Sequence, residues 1–104
     1  MGFQLEPNSY EKTILSDLQG AWVHLRSKVA EAFDFPDSAR MLFHIDEAMS
    51  WESVRNLKQM KFALLLVENI CAQSEAPVGI KEALQAVREC FDQTLVAEKE
   101  GKLL

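Results

Sequence analysis

The sequence has few of the residues that interrupt helices. Only four glycines and three prolines occur in 104 residues. Pro7, Pro36 and Pro77 separate long stretches that are rich in Ala, Leu, Glu, Lys, Gln and Arg, all good helix formers. The strict alternation of apolar and polar residues that is typical of strands is nowhere sustained. These patterns predict a chain of helices without β-strands.

Cysteines and long apolar runs are also scarce. The two cysteines, Cys71 and Cys90, are too few for a disulfide scaffold. We expect both to be small buried residues, because in a helical hairpin they would lie more than about 10 Å apart, beyond disulfide reach. No apolar run approaches the roughly eighteen residues that span a bilayer. The start "MGFQLEPNSYEKT" has no signal-peptide pattern, so we expect a cytoplasmic protein without membrane contact.

Basic charge is in deficit. Eleven Lys and Arg residues stand against sixteen Asp and Glu residues, which gives a net charge of −5. A surface that binds nucleic acid directly needs the opposite balance. The hydrophobic fraction of 48% and the charged fraction of 26% are ordinary for a globular domain. We therefore expect one folded domain that does not bind nucleic acid directly.

The motifs of enzymes are missing as well. The serines have no Gly-x-Ser-x-Gly context, and the chain contains no Gly-rich phosphate loop and no His-Glu-x-x-His zinc signature. The carboxylates are spaced as on solvated helix faces. The sequence predicts a protein that is not an enzyme and has no cofactor and no metal site.

The two histidines leave an alternative open. A helical hairpin would bring His24 and His44 to similar heights, and Glu47 follows His44 on the same side of its helix. A histidine-dependent metal site is therefore conceivable. A phosphorelay role is conceivable too, although "HLRSK" from His24 departs from the pattern of histidine phosphotransfer domains.

Hydrophobic periodicity locates four helices. We predict helices from Ser9 to about Phe33, from Ser38 to Met49, from about Trp51 to Gln73, and from Pro77 to about Glu98. Helix 1 has Asn8 as its N-cap, with Glu11 completing a capping box. Asp37 or Ser38 caps helix 2, and Ser50 caps helix 3. A helix that continues through Ser50 is the alternative.

Each helix carries one apolar stripe with residues three and four apart. The stripes are Ile14, Leu18, Ala21, Leu25, Val29 and Ala32 in helix 1; Met41, Leu42, Ile45, Ala48 and Met49 in helix 2; Leu57, Met60, Ala63, Leu64, Val67, Ile70 and Cys71 in helix 3; and Ile80, Ala83, Leu84, Val87, Cys90, Phe91, Thr94 and Leu95 in helix 4. Trp22 and Trp51 flank these stripes. The prediction is an all-α, antiparallel four-helix bundle with a short second helix, in a single domain 1–104 with an N-terminal extension 1–7 and a frayed tail 99–104.

The stretch "KFALLLVENICA" from Lys61 to Ala72 has more apolar residues than one stripe requires. Phe62 and Leu65 lie opposite the stripe of helix 3, and Leu66 lies at its flank. A helix that is apolar all round needs partners all round. Either helix 3 is central in an irregular bundle, or its second face contacts another protein chain.

Apolar residues opposite the core recur on two other helices, at Val23 and Phe43. Aromatic anchors with a basic rim are typical of protein interfaces. The sequence therefore predicts a partner-binding surface made of Phe43, Phe62 and Leu65, rimmed by Arg55 and Lys58. Two-fold dimers are the commonest oligomers, so the simplest partner is a second copy, in a homodimer.

The predicted function is that of a small interaction protein: an adaptor, a chaperone or an inhibitor. One alternative is an acidic mimic that blocks a nucleic-acid-binding partner through Glu31, Asp34 and Asp37. The other is the histidine- or metal-dependent bundle described above.

Overall fold

The computed structural model describes the backbone of residues 9–32, 34–54 and 56–101, and the side chains of residues 14–32, 34–52, 54 and 56–101. The predicted N-terminal extension 1–7, the Asn8 cap with the Glu11 side chain, Arg55 and the end of the tail lie outside these ranges. Within the described ranges, four helices follow in order: α1 (Ser9–Glu31), α2 (Ser38–Ser53), α3 (Leu57–Gln73) and α4 (Val78–Lys99).

The helices form an antiparallel four-helix bundle, as predicted. Helix α1 packs most closely on α4, and α2 packs most closely on α3. Two ion pairs join the consecutive helices: Arg26 with Asp46 between α1 and α2, and Arg88 with Glu68 between α3 and α4. Helices α3 and α4 have the fewest close backbone approaches of the four neighbouring pairs.

The predicted boundary between helices 2 and 3 is wrong. Helix α2 does not end at Met49 but continues to Ser53, so Trp51 belongs to α2 and is not the first residue of α3. With 16 residues, α2 is only one residue shorter than α3. Ser50 does not cap α3, because its hydroxyl donates a hydrogen bond to the Glu47 carbonyl inside α2.

The two N-caps of the α2–α3 pair also differ from expectation. Asn56 caps α3, and its side-chain oxygen accepts a hydrogen bond from the backbone N–H of Gln59 at 3.1 Å. Asp37 occupies the N-cap position of α2 without a capping hydrogen bond from its side chain. Its carboxylate instead accepts hydrogen bonds from the Ser74 hydroxyl at the end of α3 and from Arg40.

The core follows the predicted stripe on α3 and differs in part from the predicted stripes on α1 and α4. All seven stripe residues of α3 are buried. On α1, Trp22 lies fully inside the core and not at its flank, whereas Ala21 and Ala32 are only partly buried. The core of α1 is therefore turned toward Trp22. On α4, Cys90 and Leu95 are partly buried, and Ala97 joins the core.

Candidate interaction surface

The outer face of α3 presents three large apolar side chains to solvent. Phe62 is 53% exposed, Leu65 is 39% exposed and Leu66 is 44% exposed. These three residues, named the α3 patch below, lie within one turn and a half of helix. Because α3 contacts α2 and α4 but makes no close backbone approach to α1, it is not a central helix. The first explanation of its surplus apolar residues, an irregular bundle around helix 3, is therefore wrong.

The α3 patch reaches toward both neighbouring helices. Leu66, Ile70 and Ser74 follow one another at four-residue spacing, and Ser74 donates a hydrogen bond to Asp37, the N-cap residue of α2. Leu66 therefore lies on the side of α2. Leu65 precedes Glu68 by three residues, and Glu68 pairs with α4. Leu65 therefore lies on the side of α4, and Phe62 lies between the two leucines.

Phe43 is the most exposed large apolar residue of the described side chains, at 68%. It lies on the outer face of α2, where its ring packs edge-on against the ring of His44 with 5.2 Å between centroids. The Asp37–Ser74 contact sets the register of α2 against α3. In that register Phe43 is offset from Phe62 by about 9 Å along the axis and lies closer to the level of Leu66.

The structure describes one of the two residues of the predicted basic rim. Arg55 lies outside the described residues. Lys58 is exposed in the first turn of α3, where it lines a cleft of about 620 Å³ between the start of α3 and the end of α4. The cleft is lined by the apolar residues Val54, Leu57 and Leu95, the lysines Lys58, Lys61 and Lys99, and the polar residues Asn56 and Glu98.

Three residues of this surface are not among those predicted from the sequence: Leu66, Lys61 and Lys99. Leu66 was placed at the flank of the helix 3 stripe, although it lies as far outside the core as Leu65. Lys61 and Lys58 share a flank of α3 at three-residue spacing, which is visible in the sequence. Lys99 belongs to α4, and only the three-dimensional packing brings it to the start of α3.

Two ion pairs of similar sequence separation differ in burial. Arg88 donates hydrogen bonds from Nη2 and Nε to the Glu68 carboxylate at 2.6 and 2.9 Å, and both side chains are about one-quarter exposed. The hydrogen bond with Glu68 raises the pKa of Arg88. The Arg26–Asp46 pair, with a 2.7 Å contact, is about half exposed. The better-shielded of the two pairs therefore joins α3 to α4.

The two histidines are not brought together. Arg26 and Asp46 mark the edge where α1 meets α2. His24 lies two residues before Arg26, and His44 lies two residues before Asp46. Two residues correspond to a rotation of about 200° around a helix. Each histidine therefore points away from the edge where α1 meets α2. His44 Nδ1 lies 3.1 Å from Glu47 Oε1, as the spacing predicted. Among the described residues, no group of three or more His, Cys, Asp or Glu side chains could hold a metal ion.

Both cysteines are free thiols. Cys71 is buried in α3, and Cys90 is partly buried in α4. Burial is the main reason that the pKa of both thiols is raised. Near Cys71, Lys81 opposes this effect and Glu68 adds to it. Near Cys90, Asp17 and Glu89 add to it. A raised pKa keeps a thiol protonated and weakly nucleophilic at neutral pH.

The three candidate carboxylates of an acidic mimic have different surroundings. Glu31 and Asp34 are exposed at the end of α1 and in the following turn. Asp37 is half-buried and engaged by Ser74 and Arg40. One of the three carboxylates is thus committed to contacts within the chain.

Comparisons with known protein families, with curated proteins and with solved structures find no match for this chain. Within the part of the chain that the structure describes, no helix is both long enough and apolar enough to cross a membrane.

Proposed function

We propose that this chain is a non-enzymatic interaction protein that binds another protein chain through the outer face of α3. The observation that carries the proposal is the α3 patch, in which Phe62, Leu65 and Leu66 are adjacent and exposed. Single exposed apolar residues are normal on a protein surface, whereas adjacent ones typically mark contact sites. Phe43 is a further exposed apolar residue, on the outer face of α2.

The chemistry of the patch supports protein binding. A phenylalanine between two leucines offers an aromatic anchor that a partner can enclose. Lys58, one turn before Phe62, supplies the polar rim that interfaces usually have. The simplest partner is a second copy of the chain, because a two-fold axis lets one patch serve both subunits. Adaptor, chaperone and inhibitor roles all use such a surface.

Photo-crosslinking from the patch tests the proposal directly. A photo-reactive phenylalanine analogue is placed at position 62, and the protein is irradiated in its native cells. We expect a discrete adduct from position 62, with the mass of the dimer if the partner is a second copy. The matched control is position 78, because Val78 is an isolated exposed apolar residue at the start of α4.

Solution mass from light scattering over a concentration series then identifies self-association. If the chain dimerises, Phe62→Glu should convert it to a monomer, and Val78→Glu should not. Circular dichroism confirms that both variants fold. The proposal is overturned if positions 62 and 78 give the same adducts, or if Phe62→Glu unfolds the protein, which would make Phe62 a core residue.

A further inference from the structure

The cleft at the start of α3 runs into the α3 patch. It lies between the start of α3 and the end of α4. Lys58, Lys61 and Leu65 follow one another along α3 at spacings of three and four, so they occupy one flank of the helix. Leu65 belongs to the patch, while both lysines line the cleft. The cleft and the patch therefore form one continuous surface.

This cleft is positively charged, although the chain as a whole is acidic. Its described lining carries three lysines against one carboxylate, Glu98, whereas the whole chain has a net charge of −5. The ion pairs found in the described residues all use arginine or histidine, so none of them neutralises Lys58, Lys61 or Lys99.

The first turn of α3 brings no opposing charge to the cleft, because it contains no acidic residue. Isolated surface lysines are simply solvated, but three in one cleft repel each other. The cleft also has an apolar lining, in which Leu57 is buried and Leu95 is partly buried. A ligand that matches the surface must be both anionic and apolar.

We propose that the α3 surface binds an acidic amphipathic helix of a partner protein, which packs its apolar side chains on Phe62 and Leu65 and pairs its carboxylates with Lys58, Lys61 and Lys99. This inference rests on the proposed function and specifies the chemistry of the partner. A helix is a suitable partner element, because the outer face of α3 is itself helical and an amphipathic helix can lay its apolar face along such a surface. Strand addition has no edge to use, since the described residues contain no strand.

Fluorescence anisotropy with three labelled peptides tests the partner chemistry. Each peptide has about 18 residues, which makes a helix of roughly the length of α3. The first has leucines along one face and glutamates elsewhere, the second replaces the leucines by serines, and the third replaces the glutamates by lysines. We expect the first peptide to bind at least about tenfold more tightly than either of the others, since only it matches both features.

Charge-reversal variants locate the site. Lys58→Glu together with Lys61→Glu should weaken binding of the first peptide by about tenfold or more, and raising the salt from about 50 to about 500 mM should weaken it too. The matched control is Lys81→Glu, an exposed lysine at the other end of α4, which should change the affinity less than about twofold. Leu65→Ser should weaken binding without changing the charge.

The outcomes separate this inference from the proposed function. Equal binding of the first two peptides would mean attraction to any polyanion, and equal losses from Lys81→Glu and the double variant would mean no defined site; either result overturns the inference. If no peptide binds but position 62 still gives its discrete crosslink, only the acidic partner is wrong. If positions 62 and 78 also give the same crosslinked adducts, the proposed function is overturned as well.

Discussion

The two sides of α3 carry the same kinds of residue in different surroundings. Leu64 is fully buried, whereas the next two leucines, Leu65 and Leu66, are 39% and 44% exposed. Each step along the helix rotates the side chain by about 100°. Leu64, Leu65 and Leu66 therefore point into the core, toward the side of α4 and toward the side of α2, respectively.

This difference shows that helix phase, and not hydrophobicity, decides which leucine stabilises the fold. Burial of an apolar side chain stabilises a protein in proportion to the area removed from water. Leu64 gains this stabilisation in the isolated chain, whereas Phe62, Leu65 and Leu66 gain it only in part. The surface that remains exposed on the outer side is the surface that a partner can bury.

Truncation of the inner leucine gives the largest expected effect. Leu64→Ala should lower the free energy of unfolding by about 2–5 kcal/mol, because it removes buried contacts and leaves a cavity. Urea denaturation followed by circular dichroism measures the loss. The same substitution at the outer position, Leu66→Ala, should cost less than about 1 kcal/mol. Equal losses at the two positions would contradict the placement of the core.

The two ion pairs that join α1 to α2 and α3 to α4 also differ in their exposure to solvent. Glu68→Gln should lower the free energy of unfolding by about 1–2 kcal/mol, because it weakens two short hydrogen bonds in a pair that is about three-quarters shielded from solvent. Asp46→Asn changes the more exposed pair with Arg26 and should have a smaller effect, since solvent screens such pairs. A larger loss from Asp46→Asn would mean that the α1–α2 edge depends more strongly on its ion pair than the α3–α4 edge does.

The sequence was sufficient to predict the inner side of α3. All seven predicted stripe residues are buried, because a strong apolar pattern persists through a helix of 17 residues. It also indicated that Phe43, Phe62 and Leu65 lie opposite the core, and all three are exposed. Whether they bind a partner stays a prediction.

Features that depend on distant residues could not be predicted in this way. Ser50 and Asn56 are both acceptable N-caps, and packing decides that α2 continues past the first. The Asp37 side chain finds its partner Ser74 in another helix, a contact that no local periodicity encodes. Trp22 enters the core because the rotation of α1 is set by its neighbours. The cleft that contains Lys58, Lys61 and Lys99 likewise forms only because the end of α4 lies beside the start of α3.

Removal of the α3 cap should have a moderate effect. Asn56→Ala eliminates the hydrogen bond to the Gln59 N–H and should lower the free energy of unfolding by about 1 kcal/mol, as is typical for N-caps. Asn56→Asp preserves the acceptor and should retain most of the stability. Denaturant titration of both variants checks the assignment. If Ser50→Ala proved the more damaging change, Asn56 would not be the residue that stabilises the start of α3.

The smallest expected effect is the contribution of Cys71, on the inner face of α3, to the pH dependence of stability. Burial raises the pKa of the Cys71 thiol above its ordinary value of 9.0. Above about pH 9 the unfolded chain therefore releases this proton before the folded protein does, and the free energy of unfolding falls as the pH rises. Below about pH 9 both states hold the proton, and the thiol gives no pH dependence.

A single thiol can contribute a slope of at most about 1.4 kcal/mol per pH unit. Cys71→Ala should make the decline in stability between about pH 8 and pH 10 shallower, as measured by urea denaturation at a series of pH values. The informative quantity is the difference in the free energy of unfolding between variant and parent at each pH, because contributions common to both proteins cancel in it. Parallel curves would contradict a thiol ionisation that differs between the folded and unfolded states. A shallower curve would confirm that Cys71, unlike the leucines of the α3 patch, is shielded from water by the packing of the isolated chain.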